Sequence, residues 1–142
     1  TDEVTLETRS VVVGIGDNPE KASLFSVEER IDLIRKSTQH VPNVEVKTFS
    51  GLAVEFVREV GARVMIRGVR PLTDIAAEFT MLMANRQLDA EIETVFLMAD
   101  EEFAHVSSTL LKQITPLARE EKLSRFVPKV VMPKLREKFP AR

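Results

Sequence analysis

With 142 residues, 44% of them hydrophobic and 30% charged, the chain has the size and composition of one water-soluble domain with a substantial core. The 20 Lys and Arg residues against 22 Asp and Glu leave a formal net charge of -2, which excludes a general affinity for nucleic acid or anionic membranes and requires any anion site to be local. Cysteine is absent, which excludes disulfides and thiolate metal sites. No apolar run approaches the roughly 20 residues of a membrane span and no signal peptide is visible, so the expectation is a cytoplasmic protein.

Residues 1–10 are polar and weakly patterned. Val11-Val12-Val13-Gly14-Ile15-Gly16 is a β-branched run suited to a strand buried on both faces. Its Gly-x-Gly is no dinucleotide fingerprint, because Pro19 stands where a third glycine is needed and no helix opens there. A loop carrying Lys21 leads to Ser26-Val27-Glu28-Glu29, which has the spacing of a capping box; Val27, Ile31 and Ile34 then predict the buried face of a helix to about Thr38. Residues 44–49 alternate apolar and polar, as a half-exposed strand does. Beyond Ser50-Gly51, Leu52, Phe56, Val57 and Val60 form the stripe of a second helix, which Gly61 ends.

Residues 63–66 predict a buried parallel strand that runs into a basic turn, Arg67-Gly68-Val69-Arg70. Pro71 then opens a helical pattern to about Leu88, with Ile75, Phe79, Leu82 and Met83 on its core side. This arrangement sets Arg67 and Arg70 at the carboxyl end of a strand and near a helix start, where an anion is most easily held. Residues 94–98 predict another buried strand. After acidic Asp100-Glu101-Glu102, the segment Phe103-Ala104-His105-Val106-Ser107-Ser108-Thr109 brings three hydroxyls directly before a helix at Leu110, offering cap side chains and free backbone N–H groups. His105 suits a structural role better than that of a general base, since no serine-triad spacing accompanies it. From Leu117 the chain is helical, with Phe126, Val130, Val131 and Leu135 apolar and breaks at Pro128 and Pro133. The alternation of four strands with helices predicts a single α/β domain over residues 1–142 with a doubly wound parallel sheet. Basic or hydroxyl groups at three strand ends predict a phosphate-handling site.

Several short stretches then fall in one order and spacing: Pro19-x-Lys21, Phe25-Ser26-Val27-Glu28-Glu29-Arg30, Asn43-Val44-Glu45-Val46, Ser50-Gly51-Leu52, Ile66-Arg67-Gly68-Val69-Arg70, residues 74–78, Met83-Ala84-Asn85-Arg86, Glu93-Thr94-Val95-Phe96-Leu97-Met98 and Ser107-Ser108-Thr109. Through them, over nearly all of residues 11–139, the chain resembles the bacterial phosphopantetheine adenylyltransferases, nucleotidyltransferases with a Rossmann-like fold. The resemblance implies transfer of AMP from ATP to 4'-phosphopantetheine, giving dephospho-coenzyme A and pyrophosphate in coenzyme A biosynthesis. It also implies Mg²⁺ as cofactor and a cytoplasmic homohexamer without a nucleic-acid or membrane partner.

Carried over by position, the resemblance implies that Lys21 and Arg67 hold the acceptor phosphate, with Ala53 near the pantetheine arm. It places Gly68, Val69, Arg70 and Glu78 at ATP, and Phe103, Ala104, His105, Val106, Ser107, Ser108 and Thr109 at the nucleotide and its leaving pyrophosphate. Lys21 and Arg70 are the implied catalytic residues, and no protein metal ligand is implied.

Family members open with a strand, a Gly-(Thr/Ser)-Phe-Asp-Pro turn and a Thr/His-x-Gly-His motif, and no Gly-His pair occurs here. Laying residues 2–8 on that motif would leave only Arg9 and Ser10 before the next strand, too few for a parallel crossover. In a sheet of order 3-2-1-4-5 the opening strand is central. The expectation is therefore that the sequence is incomplete at its N-terminus or that another segment fills that place. Ile75-Ala76-Ala77 also departs from the aromatic and acidic residues usual in the family. The missing histidine leaves a non-catalytic nucleotide- or coenzyme A-binding module as the alternative function.

Overall fold

The structure is a computed structural model that describes residues 10–20, 22–71 and 73–140. The chain forms two compact units, Thr1–Ser50 and Gly51–Arg142.

The first unit is a βαβ motif: strand β1 (Val11–Gly16), helix α1 (Val27–Thr38) and strand β2 (Val44–Phe49). The strands pair in parallel from Val11 with Val44 to Gly16 with Phe49, and α1 packs on both. The capping box forms: Ser26 Oγ accepts from the Glu29 backbone N–H at 3.1 Å, and the Ser26 N–H donates to Glu29 Oε2 at 2.9 Å. Ile15, Leu33 and Val46 are the buried apolar side chains. The deepest position of α1 is thus Leu33, at one flank of the expected stripe, while Val27, Ile31 and Ile34 are half-buried. Gly16 has a packing reason: a Cβ there would lie 3.2 Å from Cζ of the Phe49 ring.

The second unit starts with helix α2 (Ala53–Glu59), which Gly61 follows at φ +73°, a backbone region that favours glycine. Strand β3 (Val64–Val69), helix α3 (Ile75–Leu88) and strand β4 (Glu93–Met98) form a second βαβ motif, parallel from Val64 with Glu93 to Val69 with Met98. Its core joins Val54 and Val57 of α2 to Ile92, with Ala62 and Met65 packed against them. Helices α4 (Ser108–Ile114), α5 (Glu120–Leu123) and α6 (Met132–Lys138) follow, with 3-10 turns at Glu101–Phe103 and Lys129–Val131. Leu123 and Thr115 are fully buried there, and Leu135 is buried with 2% exposed. Arg136 ties down the chain after α4 by donating to the carbonyls of Thr115, the C-cap of that helix, and Ala118, in the turn beyond it.

The fold class is the expected one, α/β with parallel strands. The described strands pair as β1 with β2 and β3 with β4, in two separate two-stranded parallel sheets. The expected burial of β1 and of the later strands is corrected: in β1 only Ile15 is buried and Val11 is exposed, and Val64, Ile66, Val95 and Leu97 are exposed. Among the described residues each strand has one hydrogen-bonded neighbour, and a single crossover helix covers only one face of a pair. No helix among the described residues is long and apolar enough to cross a membrane.

Candidate active site

Two expectations about the basic turn need correction. Strand β3 runs through Val69, so Arg67 and Gly68 are strand residues and the turn begins at Arg70. Helix α3 begins at Ile75 with Asp74 as its N-cap, so Pro71 lies in the turn and not in the first helical position. The extra length of β3 gives Arg67 and Arg70 different surroundings.

Arg67 shares a strand face with Met65, because side chains alternate along a strand. That face and the matching Thr94 and Phe96 of β4 look onto Glu78, Met81, Leu82 and Asn85 of α3, enclosing with Ala53 a cavity of about 90 Å³. The inward stripe of α3 is therefore 78, 82 and 85, at helical spacing; of the expected core side only Leu82 belongs to it, while Ile75, Phe79 and Met83 are exposed. Two of the inward residues are polar, which is why the apolar pattern pointed elsewhere.

At one end of this cavity Arg67 donates from Nε to Glu78 Oε2 at 3.0 Å and from Nη2 to Oε1 at 2.7 Å. This two-point fork fixes the guanidinium plane and raises the Arg67 pKa further above its ordinary value. At the other end the Thr94 hydroxyl is buried without a hydrogen-bond partner among the described residues. An unpaired buried hydroxyl is costly, so a polar ligand group in the cavity would relieve it.

Arg70 is held from two sides. Asp74 Oδ2 accepts from its backbone N–H at 3.0 Å and from Nε at 2.9 Å, and Oδ1 accepts from Nη2 at 2.9 Å. The Val106 carbonyl accepts from Nη1 at 3.3 Å, joining Arg70 to the 103–109 segment. The Arg70 side chain and then its backbone N–H hold the Asp74 carboxyl down to about 2. A carboxylate so depressed favours the folded state above its ordinary range near pH 3.8, and that contribution is lost as pH falls from there through about 2.

The hydroxyl cluster divides. Ser107 is the N-cap of α4, its Oγ accepting from the Leu110 N–H at 3.2 Å, while Ser108 and Thr109 lie inside the first helical turn and are exposed. His105 stacks edge-on against Phe126 with ring centroids 5.7 Å apart. Phe103 and His105 border a wider, open hollow with Arg125 and Phe126. Ala104 follows the 3-10 turn and is half-buried. Over Gly68 a Cβ would meet no protein atom within 4 Å, so packing does not demand glycine there and the strand backbone stays open to a ligand. Lys21 and residues 1–9 lie outside the described residues.

No group of three or more His, Cys, Asp or Glu among the described residues could hold a metal ion. The two carboxylates of the site, Asp74 and Glu78, are both taken by arginines. Among the described residues, therefore, no set fits a resident Mg²⁺ site.

Sequence reasoning found both arginines but missed their partners. Asp74 could have been read from its i+4 spacing to Arg70. Glu78, Asn85 and Thr94 become neighbours of Arg67 or its cavity only through the βαβ crossover, which no local pattern announces.

A parallel βαβ unit with two arginines on and just after one strand, beside an open glycine backbone, fits the nucleotidyltransferase class of α/β proteins. In agreement, residues 2–114 match the family model described as cytidylyltransferase-like. The chain is 64% identical over 133 residues to the phosphopantetheine adenylyltransferase of Rhodopirellula baltica, covering 93% of the chain and 74% of that protein. It is 44% identical over 129 residues to that of Symbiobacterium thermophilum, covering 91% and 78%, and 41% identical over 129 residues to that of Caldanaerobacter subterraneus, covering 91% and 79%. The chain belongs to the phosphopantetheine adenylyltransferase family.

Proposed function

We propose that the protein transfers AMP from ATP to 4'-phosphopantetheine, giving dephospho-coenzyme A and pyrophosphate in coenzyme A biosynthesis. The observation that carries this reading is the separation of the two arginines. Arg67 stands over a narrow cavity, and Arg70 stands at the strand end beside the 103–109 segment.

In this reading an oxygen of the acceptor phosphate attacks the α-phosphorus of ATP, a new P–O bond forms, and the bond to pyrophosphate breaks in line with it. No protein nucleophile is required; the reaction needs two anions held together against their repulsion. Arg67 neutralises the acceptor phosphate, and Arg70 neutralises charge on the ATP phosphates. The cavity walls of Met65, Leu82 and Phe96 suit the methylenes of a pantetheine arm, while Asn85 and Thr94 offer partners for its amides. Gly68 gives ATP an open stretch of strand backbone, with the buried Val69 fixing the strand end behind it, and the 103–109 segment borders the nucleotide. Resemblance adds Lys21 as a second cation for the acceptor phosphate, and supports a homohexamer working in the cytoplasm. Mg²⁺ bound to ATP would supply neutralisation of its phosphates, consistent with the reluctance of this ion to give up water for protein cages.

The test is Arg67→Ala in two-substrate kinetics. The expected result is a KM for phosphopantetheine raised by about 10-fold or more, the value of a lost charge-assisted hydrogen bond, with the KM for ATP little changed. An unchanged acceptor KM would remove Arg67 from the acceptor site and this reading with it.

A further inference from the structure

We infer that Asp74 is a positioning residue for adenylyl transfer, holding the Arg70 guanidinium in the orientation in which it meets the ATP phosphates; this rests on the function proposed above. The observation is a helix cap that does not cap. Aspartate is a preferred N-cap because its carboxylate accepts from the free N–H groups of the first turn. Asp74 occupies the N-cap of α3, yet its side chain makes no bond to that turn. Both of its oxygens go to Arg70 instead, to the backbone N–H, Nε and Nη2.

The bonds fix Arg70 at its base and its head together. The backbone N–H bond ties the turn after β3 to the start of α3, and the fork at Nε and Nη2 sets the plane of the guanidinium. Val106 O takes one N–H of Nη1. Of the five guanidinium N–H groups three are thereby used, which leaves one on Nη1 and one on Nη2 for an anion. An arginine on its own is long and rotamer-rich, and would have to be ordered at each turnover; one held beforehand by a carboxylate presents its donors already aligned. Arg70 holds the Asp74 carboxyl far below neutrality, so the clamp is charged at any working pH. Glu78 makes a similar fork on Arg67 one turn further along α3. That fork spans strand and helix and has no helix cap to forgo, which singles out Asp74.

The test compares Asp74→Asn and Asp74→Ser, each alone and combined with Arg70→Ala, by kcat, by KM for both substrates and by thermal unfolding. Asparagine keeps the shape but turns an amide donor toward a guanidinium that only donates. Serine can cap α3 and support folding but cannot reach both guanidinium donors. Both variants are expected to lower kcat by about 10–100-fold, the scale of a slightly misplaced catalytic group, with the KM for phosphopantetheine within about 2-fold of wild type. In the Arg70→Ala background the same substitutions are expected to change kcat by less than about 2-fold, since the group they position is gone. Undiminished kcat in both variants while the wild type turns over would overturn this inference alone, as would a loss that persists in full without Arg70. A wild type that forms no dephospho-coenzyme A would overturn it together with the function it rests on.

Discussion

Replacing Arg70 by alanine lowers kcat for dephospho-coenzyme A formation by about 10²–10³-fold, the range found when one preorganised charge donor is removed from a transition state. The effect is expected in kcat more than in either KM, because negative charge shifts toward the leaving pyrophosphate as the P–O bond breaks, and a donor aimed at that charge gains strength as it develops. The geometry supports a large effect for this arginine. Its plane is set by Asp74 and by the Val106 carbonyl, so little reorganisation remains when the phosphates arrive. Arg70→Lys is expected to recover only part of the rate, since an ammonium supplies charge but cannot occupy the same fork. Kinetics with saturating ATP and phosphopantetheine decide this, alongside thermal unfolding to show that the variant is folded. A loss confined to the KM for ATP would make Arg70 a binding residue and nothing more.

The largest expected loss of stability lies away from the site. Leu123→Ala is expected to destabilise the protein by about 2–5 kcal/mol, the cost of removing a buried leucine and leaving a cavity behind. Leu123 is 0% exposed, whereas Leu117 is 75% exposed, so the same truncation at Leu117 is expected to cost no more than about 0.5 kcal/mol. Helix α5 has only four residues, too few to persist by helix propensity, so its place depends on Leu123. Denaturant midpoints of the two variants measure the difference, and equal midpoints would place the folding energy of this region elsewhere.

How far the fold could be read from the residues depended on whether local chemistry decided the outcome. The β-branched run at Val11, the alternation in β2, the capping box at Ser26 and the stop at Gly61 are local devices, and each appears where its spacing put it. The end of β3 was misjudged because arginine and glycine read as turn residues, whereas pairing with Phe96 and Leu97 of β4 carries Arg67 and Gly68 on as strand. Of the facing side of α3 only Leu82 was legible, because the site places Glu78 and Asn85 inward, where an apolar pattern expects a core. Exposure of Ile66 and Leu97 follows from how many neighbours a strand has, which a residue run cannot state. At the site the cations were legible from their position at a strand end. The carboxylate that orders Arg67 was not, because it is contributed by the next element after a crossover.

The central claim is that one strand end serves two phosphate-bearing substrates and joins them. Its most direct measurement is product analysis by mass spectrometry after incubation of the protein with ATP, Mg²⁺ and 4'-phosphopantetheine. Dephospho-coenzyme A and pyrophosphate in equal amounts are expected. ADP in place of pyrophosphate, nucleotide transfer only to a different acceptor, or binding of ATP and coenzyme A with no product at all would contradict the claim.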